Sequence, residues 1–351
     1  MAPLRRPYLL AALLVLLAAG GYTGFWFFEA GVVKGGLADW TQERRAEGFT
    51  IAYDTPELSG FPFSIALHLG HPSVTAPGAG WRWTGEAAEG EVRPWAFRHV
   101  RVQPIGRQEV GIVQAGETSL LVASAARSSA VVDVDARGRL EDGSFDAEDL
   151  TLAPATGAPQ LSVHLFHLAL SAAAGNSAPA KGPALATTAE LELHMEGITL
   201  PKASAGPLGA SLGPLTAAAQ VRGPIDGKSP LQALSAWRDA GGTLELKSFL
   251  LDWGPLQLSG NATLALDPNL QPEGAGTGEI RGFAETIDAL VGRGLVKPDT
   301  GALAKAALGL LAKTPSGGGA KVLTIPLSIQ RQTFYAGPFG LMKLPTIKWS
   351  G

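Results

Sequence analysis

The chain has 351 residues, a formal net charge of −3, 17% charged and 46% hydrophobic residues, and no cysteine. Without cysteine there are no disulfides, thiolate metal sites, cysteine nucleophile or acylated cysteine, and the slight negative charge argues against a nucleic-acid partner, which draws on excess Lys and Arg. The 45 glycines and 25 prolines imply frequent turns, hence many strands rather than long helices in the body.

Arg5 and Arg6 precede an uncharged stretch from Pro7 to Phe28, PYLLAALLVLLAAGGYTGFWFF. About 20 apolar residues rising about 1.5 Å each traverse a hydrocarbon core of about 30 Å. The anchoring side chains are Leu9, Leu13, Leu16, Trp26 and Phe28. Aromatic residues such as Phe25 to Phe28 settle at membrane interfaces, and paired arginines keep the N-terminus cytoplasmic. The segment therefore reads as a single inner-membrane span with the rest of the chain in the periplasm. A signal peptide cleaved after Ala18-Ala19-Gly20 is the rival reading, but it exposes the apolar Tyr22–Phe28 run at a new N-terminus.

Residues 1–28 thus form a cytoplasmic N-terminus and anchor, 29–48 a connecting helix, and 49–351 a β-rich body with a soft division near 180. In the connector, Val33, Leu37 and Trp40 share a helix face. Gly31, Gly35 and Gly36 weaken it by up to about 1 kcal/mol each.

From Phe49 onward the period is two. Phe63–Leu69 sets Phe63, Ile65, Leu67 and Leu69 against Ser64, Ala66 and His68. Ser129–Arg137, Ala189–Met195, Leu256–Asp267 and Leu323–Ile329 alternate in the same way. Successive strand side chains point to opposite faces, so each pattern means one buried and one wet face, as in antiparallel sheets. Pro326 lacks an N–H and predicts an edge position for the last of these strands. Helices cluster late. Ser229 and Pro230 open one, with Leu231, Leu234 and Trp237 inward and Gly241 as stop. Two more are read over 284–295 and 299–313, the second capped by Asp299 and carrying Leu303, Leu310 and Leu311 near one face. The fold class is mainly β (α+β): a transmembrane helix, then a long curved antiparallel sheet with a few helices of the C-terminal half packed on it.

Several stretches resemble the proteobacterial family known as domain of unknown function 2125. At the N-terminal end these are the span, the charged Glu43-Arg44-Arg45-Ala46-Glu47-Gly48 and Ser59-Gly60-Phe61-Pro62-Phe63. Later come Gly241-Gly242-Thr243-Leu244, Trp253-Gly254-Pro255-Leu256, Leu270-Gln271-Pro272-Glu273-Gly274 and Ile280-Arg281-Gly282-Phe283, and the match ends at Tyr335-Ala336-Gly337-Pro338. The Gly-Phe-Pro-Phe and Leu-Gln-Pro-Glu-Gly elements are also similar, more loosely, to AsmA-like envelope proteins. That likeness implies a curved sheet with an apolar groove and a role in lipid handling or envelope upkeep. Neither resemblance carries catalytic residues.

The residues themselves offer no enzyme. His68 with His71, and His164 with His167, are three apart, which on a strand sends the rings to opposite faces and defeats a shared metal. Glu190, Glu192, His194 and Glu196 make an acidic strand face that suits solvent better than a cation. Arg93, Arg98, Arg101 and Arg107, with Trp95 and Phe97 between, form a basic patch for surface solvation or anionic headgroups. Gly274, Gly276 and Gly278 fit no phosphate-loop spacing, and there is no nucleophile elbow. No metal or cofactor is expected. The expected ligand groove is apolar and combines Phe61, Phe63, Ile65 and Leu67 with Leu256, Leu258, Leu264 and Leu266. A lipid or another amphiphile is its expected occupant. The alternatives are an assembly protein docking on envelope partners and, more remotely, an envelope hydrolase.

Overall fold

The computed structural model describes residues 6–76, 81–114, 117–135, 140–157, 160–172, 185–202, 205–227, 230–314, 319–347 and 349. It opens with α1 (Arg6–Ala46), a continuous helix of 41 residues, so span and connector form one rod about 60 Å long. A Cβ added at Gly31, Gly35 or Gly36 would meet nothing within 4 Å. These glycines cost helix propensity without breaking the rod.

Four short strands follow: β1 (Thr50–Ala52), β2 (Glu57–Ser59), β3 (Ile65–Gly70) and β4 (Ser73–Ala76). Then come β5 (Trp81–Arg93), β6 (Ala96–Gln114), β7 (Glu117–Ser124), β8 (Arg127–Val134), β9 (Leu140–Pro154), β10 (Leu161–Ala172) and β11 (Thr187–Glu196). After β12 (Ile198–Thr199), β13 (Ser211–Leu212) and β14 (Leu215–Arg222) the chain enters α2 (Pro230–Asp239). The hairpins β15 (Thr243–Trp253), β16 (Leu256–Leu266) and β17 (Pro272–Arg281) lead to α3 (Phe283–Gly292) and α4 (Pro298–Leu311). β18 (Leu323–Gln330), β19 (Thr333–Ala336) and β20 (Phe339–Lys343) close the chain.

Every strand pairing is antiparallel, and the strands form one sheet laid down almost in chain order. β3 and β4 lie end to end along β5, as β7 and β8 do along β6. Among the described residues β2 pairs only with β3 and β20 only with β19, so the sheet is open. Register shifts within β14–β15, β15–β16 and β5–β6 mark bulges, which bend strands and increase local twist. The division expected near 180 falls at 173–184, outside the described residues, while β10 and β11 pair across it.

Three expectations need correction. β18 is not an edge strand, since β19 and β20 lie beyond it. The Pro326 carbonyl accepts from Gly337 N–H at 2.7 Å. The residue's missing N–H points to that same side, where the β18–β19 ladder has already ended at Leu327. Asp299 is not the cap of α4: Lys297 holds the N-cap position, Pro298 is at N1, and Asp299 lies in the first turn. The three leucines expected near one face of α4 do not pack on the sheet either. Leu303, Leu310 and Leu311 are exposed; the contact is instead with α3, through Gly301 against Ile287 and Val291.

The core is thin. Among the described residues Ile65 and Val163 are the largest side chains fully removed from solvent. The chief apolar cluster joins Trp26 and Ala30 of α1 to Ile65 and Val92, with Val33, Phe97 and Val100 against it.

Candidate functional site

α1 has two regimes. From Leu13 to Gly21 every side-chain position is exposed, and the residues are apolar. From Tyr22 onward the protected positions of α1 are 22, 23, 26, 29, 30, 33, 37, 41 and 44, recurring every three or four residues as one stripe along a helix does. That stripe seats the helix on the first strands. Val33 and Leu37 lie on it as expected, whereas Trp40 is exposed beside Arg44, Ile51 and Trp81. Leu13, Leu16 and Phe28 of the expected anchor set are exposed, and the side chain of Leu9 lies outside the described residues. Trp26 departs from that set. It is 3% exposed and its Nε1 donates to the Ser64 carbonyl at 2.9 Å, so it faces the body and not lipid.

Alternation along each strand and register between strands then build a continuous apolar face. Directly paired residues share a face. One row runs Val100–Val132–Gly143–Leu170–Leu191–Ala219, and continues Leu246–Ala262–Gly276–Leu327–Ala336. The neighbouring row runs Val102–Ala130–Phe145–Leu168–Leu193–Ala217, then Phe249–Gly260–Gly278–Ile325. A bulge between Leu246 and Phe249 shifts the phase of β15 and keeps both residues on this face. The first row begins at Val100, which packs against the Trp26 cluster.

Toward the far end the face hollows into a groove of about 470 Å³ over β15–β20. Its floor is bare because Gly260, Gly274, Gly276 and Gly278 occupy face-directed positions. The walls are Leu246, Phe249 and Leu258 on one side and Ile325, Leu327 and Phe334 on the other. β16 and β17 also approach too closely for larger residues. A Cβ would sit 2.1 Å from Thr263 O at Gly274 and 2.2 Å from Asn261 O at Gly276. A second hollow of about 350 Å³ lies under α2, between Leu234, Trp237 and Ile225 above and Leu244, Leu264 and Leu266 below. Leu264 borders both. Trp237 Nε1 donates to Arg222 O at 2.8 Å and Gly241 (φ +77°) ends the helix, which holds α2 over this end. A roomier hollow of about 920 Å³ over β5–β11 has Arg127, Asp146, Glu148 and His167 in its lining, and suits solvent more than an apolar guest.

The residues expected in one groove lie in two places. Leu258 and Leu264 line the 470 Å³ groove, Leu264 and Leu266 the hollow under α2, and Leu256 is half-buried at the strand's start. Ile65 and Leu67 are buried in β3, Ile65 within the α1 cluster. Phe61 and Phe63 are exposed on the turn before β3 and line neither hollow. Pro62 ends the alternating pattern there, so the strand starts at Ile65 and not at Phe63. Gly274, Gly276 and Gly278 were weighed in the sequence only against a phosphate loop, and their role as a groove floor was missed. Its signal was a period-two run of glycine, Gly274-Ala-Gly276-Thr-Gly278, inside a strand.

The wet face carries ion pairs. His71, His99, His164 and His167 each meet an aspartate within 2.8 Å through Nδ1, and His194 meets Glu196. A hydrogen bond with Asp54 raises the His71 pKa above 6.5, and Asp149 does the same for His164. Glu245 accepts from Lys247 and Arg222, and the two cations hold its carboxyl below 4.5. Arg107 pairs with Glu109, and Glu190 accepts from Gln220. Among the described residues no three His, Asp or Glu gather as a metal would require.

The family model for an uncharacterized protein conserved in bacteria (DUF2125) matches residues 26–345. The matched stretch starts at Trp26, so most of the docked half of α1 and the whole sheet fall inside it. No curated protein and no solved structure matches the chain.

Proposed function

The chain belongs to the DUF2125 family, and within it we propose a non-enzymatic binding role: an inner-membrane-anchored periplasmic protein whose apolar sheet face holds the acyl part of a lipid or a similar amphiphile, in the service of envelope upkeep. The observation that carries this reading is the glycine floor at Gly260, Gly274, Gly276 and Gly278, flanked by leucine, isoleucine and phenylalanine walls. A strand that packs its own core presents large side chains. This one presents hydrogens where the face is deepest, and a 470 Å³ hollow lies in the range that small-molecule sites occupy. Apolar contact alone suffices for retention, since about 300 Å² of buried guest surface contributes roughly 7 kcal/mol before association costs.

The test is lipid recovery from the full chain purified in mild detergent, with extracts measured by mass spectrometry. Native protein is expected to carry lipid near stoichiometry. Ala262→Phe and Ala336→Phe put rings into the groove from its lining and are expected to lower recovery several-fold. Absence of lipid from the native protein, or equal recovery from the filled variants, would sink the reading.

A protein partner is the second reading, favoured by the exposed Phe339, Leu341 and Met342 on β20, whose outer edge is unpaired among the described residues. An added strand would satisfy that edge. Site-specific crosslinking from Leu341 in intact cells is expected to trap a stoichiometric protein if this reading holds.

A further inference from the structure

We infer that the turn of Phe61, Pro62 and Phe63 is a second membrane contact, bedding the body in the bilayer leaflet that faces it. The turn is fastened to α1 at one level. The Tyr22 hydroxyl donates to the Pro62 carbonyl oxygen, and Trp26 Nε1 donates to Ser64 O. The Phe61 ring lies 5.4 Å from Trp26, edge-on, and 6.4 Å from Phe27, stacked.

Helix length then fixes the depth of that level. Between Arg6 and Tyr22 there are 15 residues, which rise only about 22 Å against a hydrocarbon core of about 30 Å. The shortfall is about 8 Å, or roughly five residues, and any tilt enlarges it. A span of full depth must therefore continue to Trp26 or Phe27. Trp26 and Phe27 are the residues whose rings lie against Phe61, so the turn stands where the hydrocarbon ends.

Its chemistry suits that depth. Ser59 to Ser64 carry no charge, Phe61 is 51% and Phe63 72% exposed, and Phe25, Phe27 and Phe28 are exposed on the helix alongside. Five phenylalanines thus ring one level of the molecule, as aromatic side chains do at a membrane boundary. In water they would form an exposed apolar patch. The occupant is the lipid that α1 already traverses. The inference rests on α1 crossing the bilayer and is independent of what fills the groove.

The chain has no cysteine, so single cysteines report depth without background. Phe63→Cys, Leu16→Cys and Asn261→Cys, each in the full chain, would carry a nitroxide in liposomes of phosphatidylcholine and phosphatidylglycerol. Accessibility to oxygen is then compared with accessibility to a water-soluble nickel chelate. Position 63 is expected to favour oxygen several-fold over position 261, approaching position 16. Matching values at 63 and 261, with 16 embedded, overturn the inference while the span stands. A label at 63 shielded from both reagents also overturns it, because a protein then covers the turn. Three water-exposed labels remove the span on which it rests. None of these outcomes bears on lipid recovery from the groove. Circular dichroism of each variant confirms the fold.

Discussion

Trp26 and Ser64 join the two halves of the molecule's architecture: the indole N–H of the helix donates to a backbone carbonyl at the entrance of the sheet, at 2.9 Å. The ring beneath that bond packs with Ala30, Ile65 and Val92. One side chain supplies both a hydrogen bond and the largest apolar surface at the junction, and the two contributions can be separated by substitution.

Trp26→Phe keeps an aromatic ring and leaves the Ser64 carbonyl without this donor, which costs about 1–3 kcal/mol. Trp26→Ala removes the ring as well and costs about 3–5 kcal/mol. Urea unfolding of the full chain in detergent micelles, followed by circular dichroism, is expected to rank native above Phe above Ala. Equal midpoints for all three would mean that the helix does not dock on the sheet through this residue.

Gly143 and Gly276 belong to one cross-sheet row but differ in surroundings. A Cβ at Gly143 has Leu140 Cδ1 as its nearest neighbour at 3.6 Å, an ordinary contact, whereas at Gly276 it meets a backbone oxygen at 2.2 Å. Gly143→Ala is therefore expected to leave stability unchanged or raise it by up to about 1 kcal/mol, since glycine weakens a strand interior. Gly276→Ala is expected to lower stability by about 1–3 kcal/mol. Thermal unfolding of the pair provides the comparison.

The His71–Asp54 pair predicts a pH dependence with a defined sign. The hydrogen bond from Asp54, then its charge, raises the folded pKa above 6.5. The pair's contribution is fully present below the unfolded value of about 6.5 and fades as pH rises through the folded value. An NMR titration of His71 is expected to give a midpoint above 6.5 that Asp54→Asn returns toward 6.5. An unchanged midpoint in the variant would show that Asp54 is not the cause.

The β18–β19 hairpin turns through Arg331 and Gln332, both at positive φ (48° and 58°). A two-residue turn of this kind favours asparagine or glycine. Arg331→Asn relieves a left-handed conformation that costs an ordinary residue about 1 kcal/mol. It is expected to raise the unfolding temperature, and a drop would mean that the arginine makes a compensating contact.

Much of the architecture was legible in local pattern. Leu256–Asp267 and Ala189–Met195 alternate cleanly, and the strands observed there differ by two residues or fewer at each end. Trp237 and Gly241 marked the inward face and the stop of α2, as found. Where the reading failed, a local signal competed with a long-range one. Phe63 continues the alternation of β3, but Pro62 and the bonds from α1 hold it in a turn. The leucines of α4 have helical spacing, yet the face that spacing draws is exposed.

By itself the sequence determined an apolar N-terminal helix and an antiparallel body with one oily face, because hydrophobic periodicity reports how each element divides its own surface. It could not decide which surfaces meet. That Trp26 turns inward to Ser64, and that Gly260 aligns with Gly278 and Ala262 with Gly276 to clear a groove floor, follows from register between residues far apart in the chain. A glycine in isolation signals only flexibility. It becomes the floor of a hollow when neighbouring strands raise leucine and phenylalanine walls on either side, and only the tertiary structure brings those strands together.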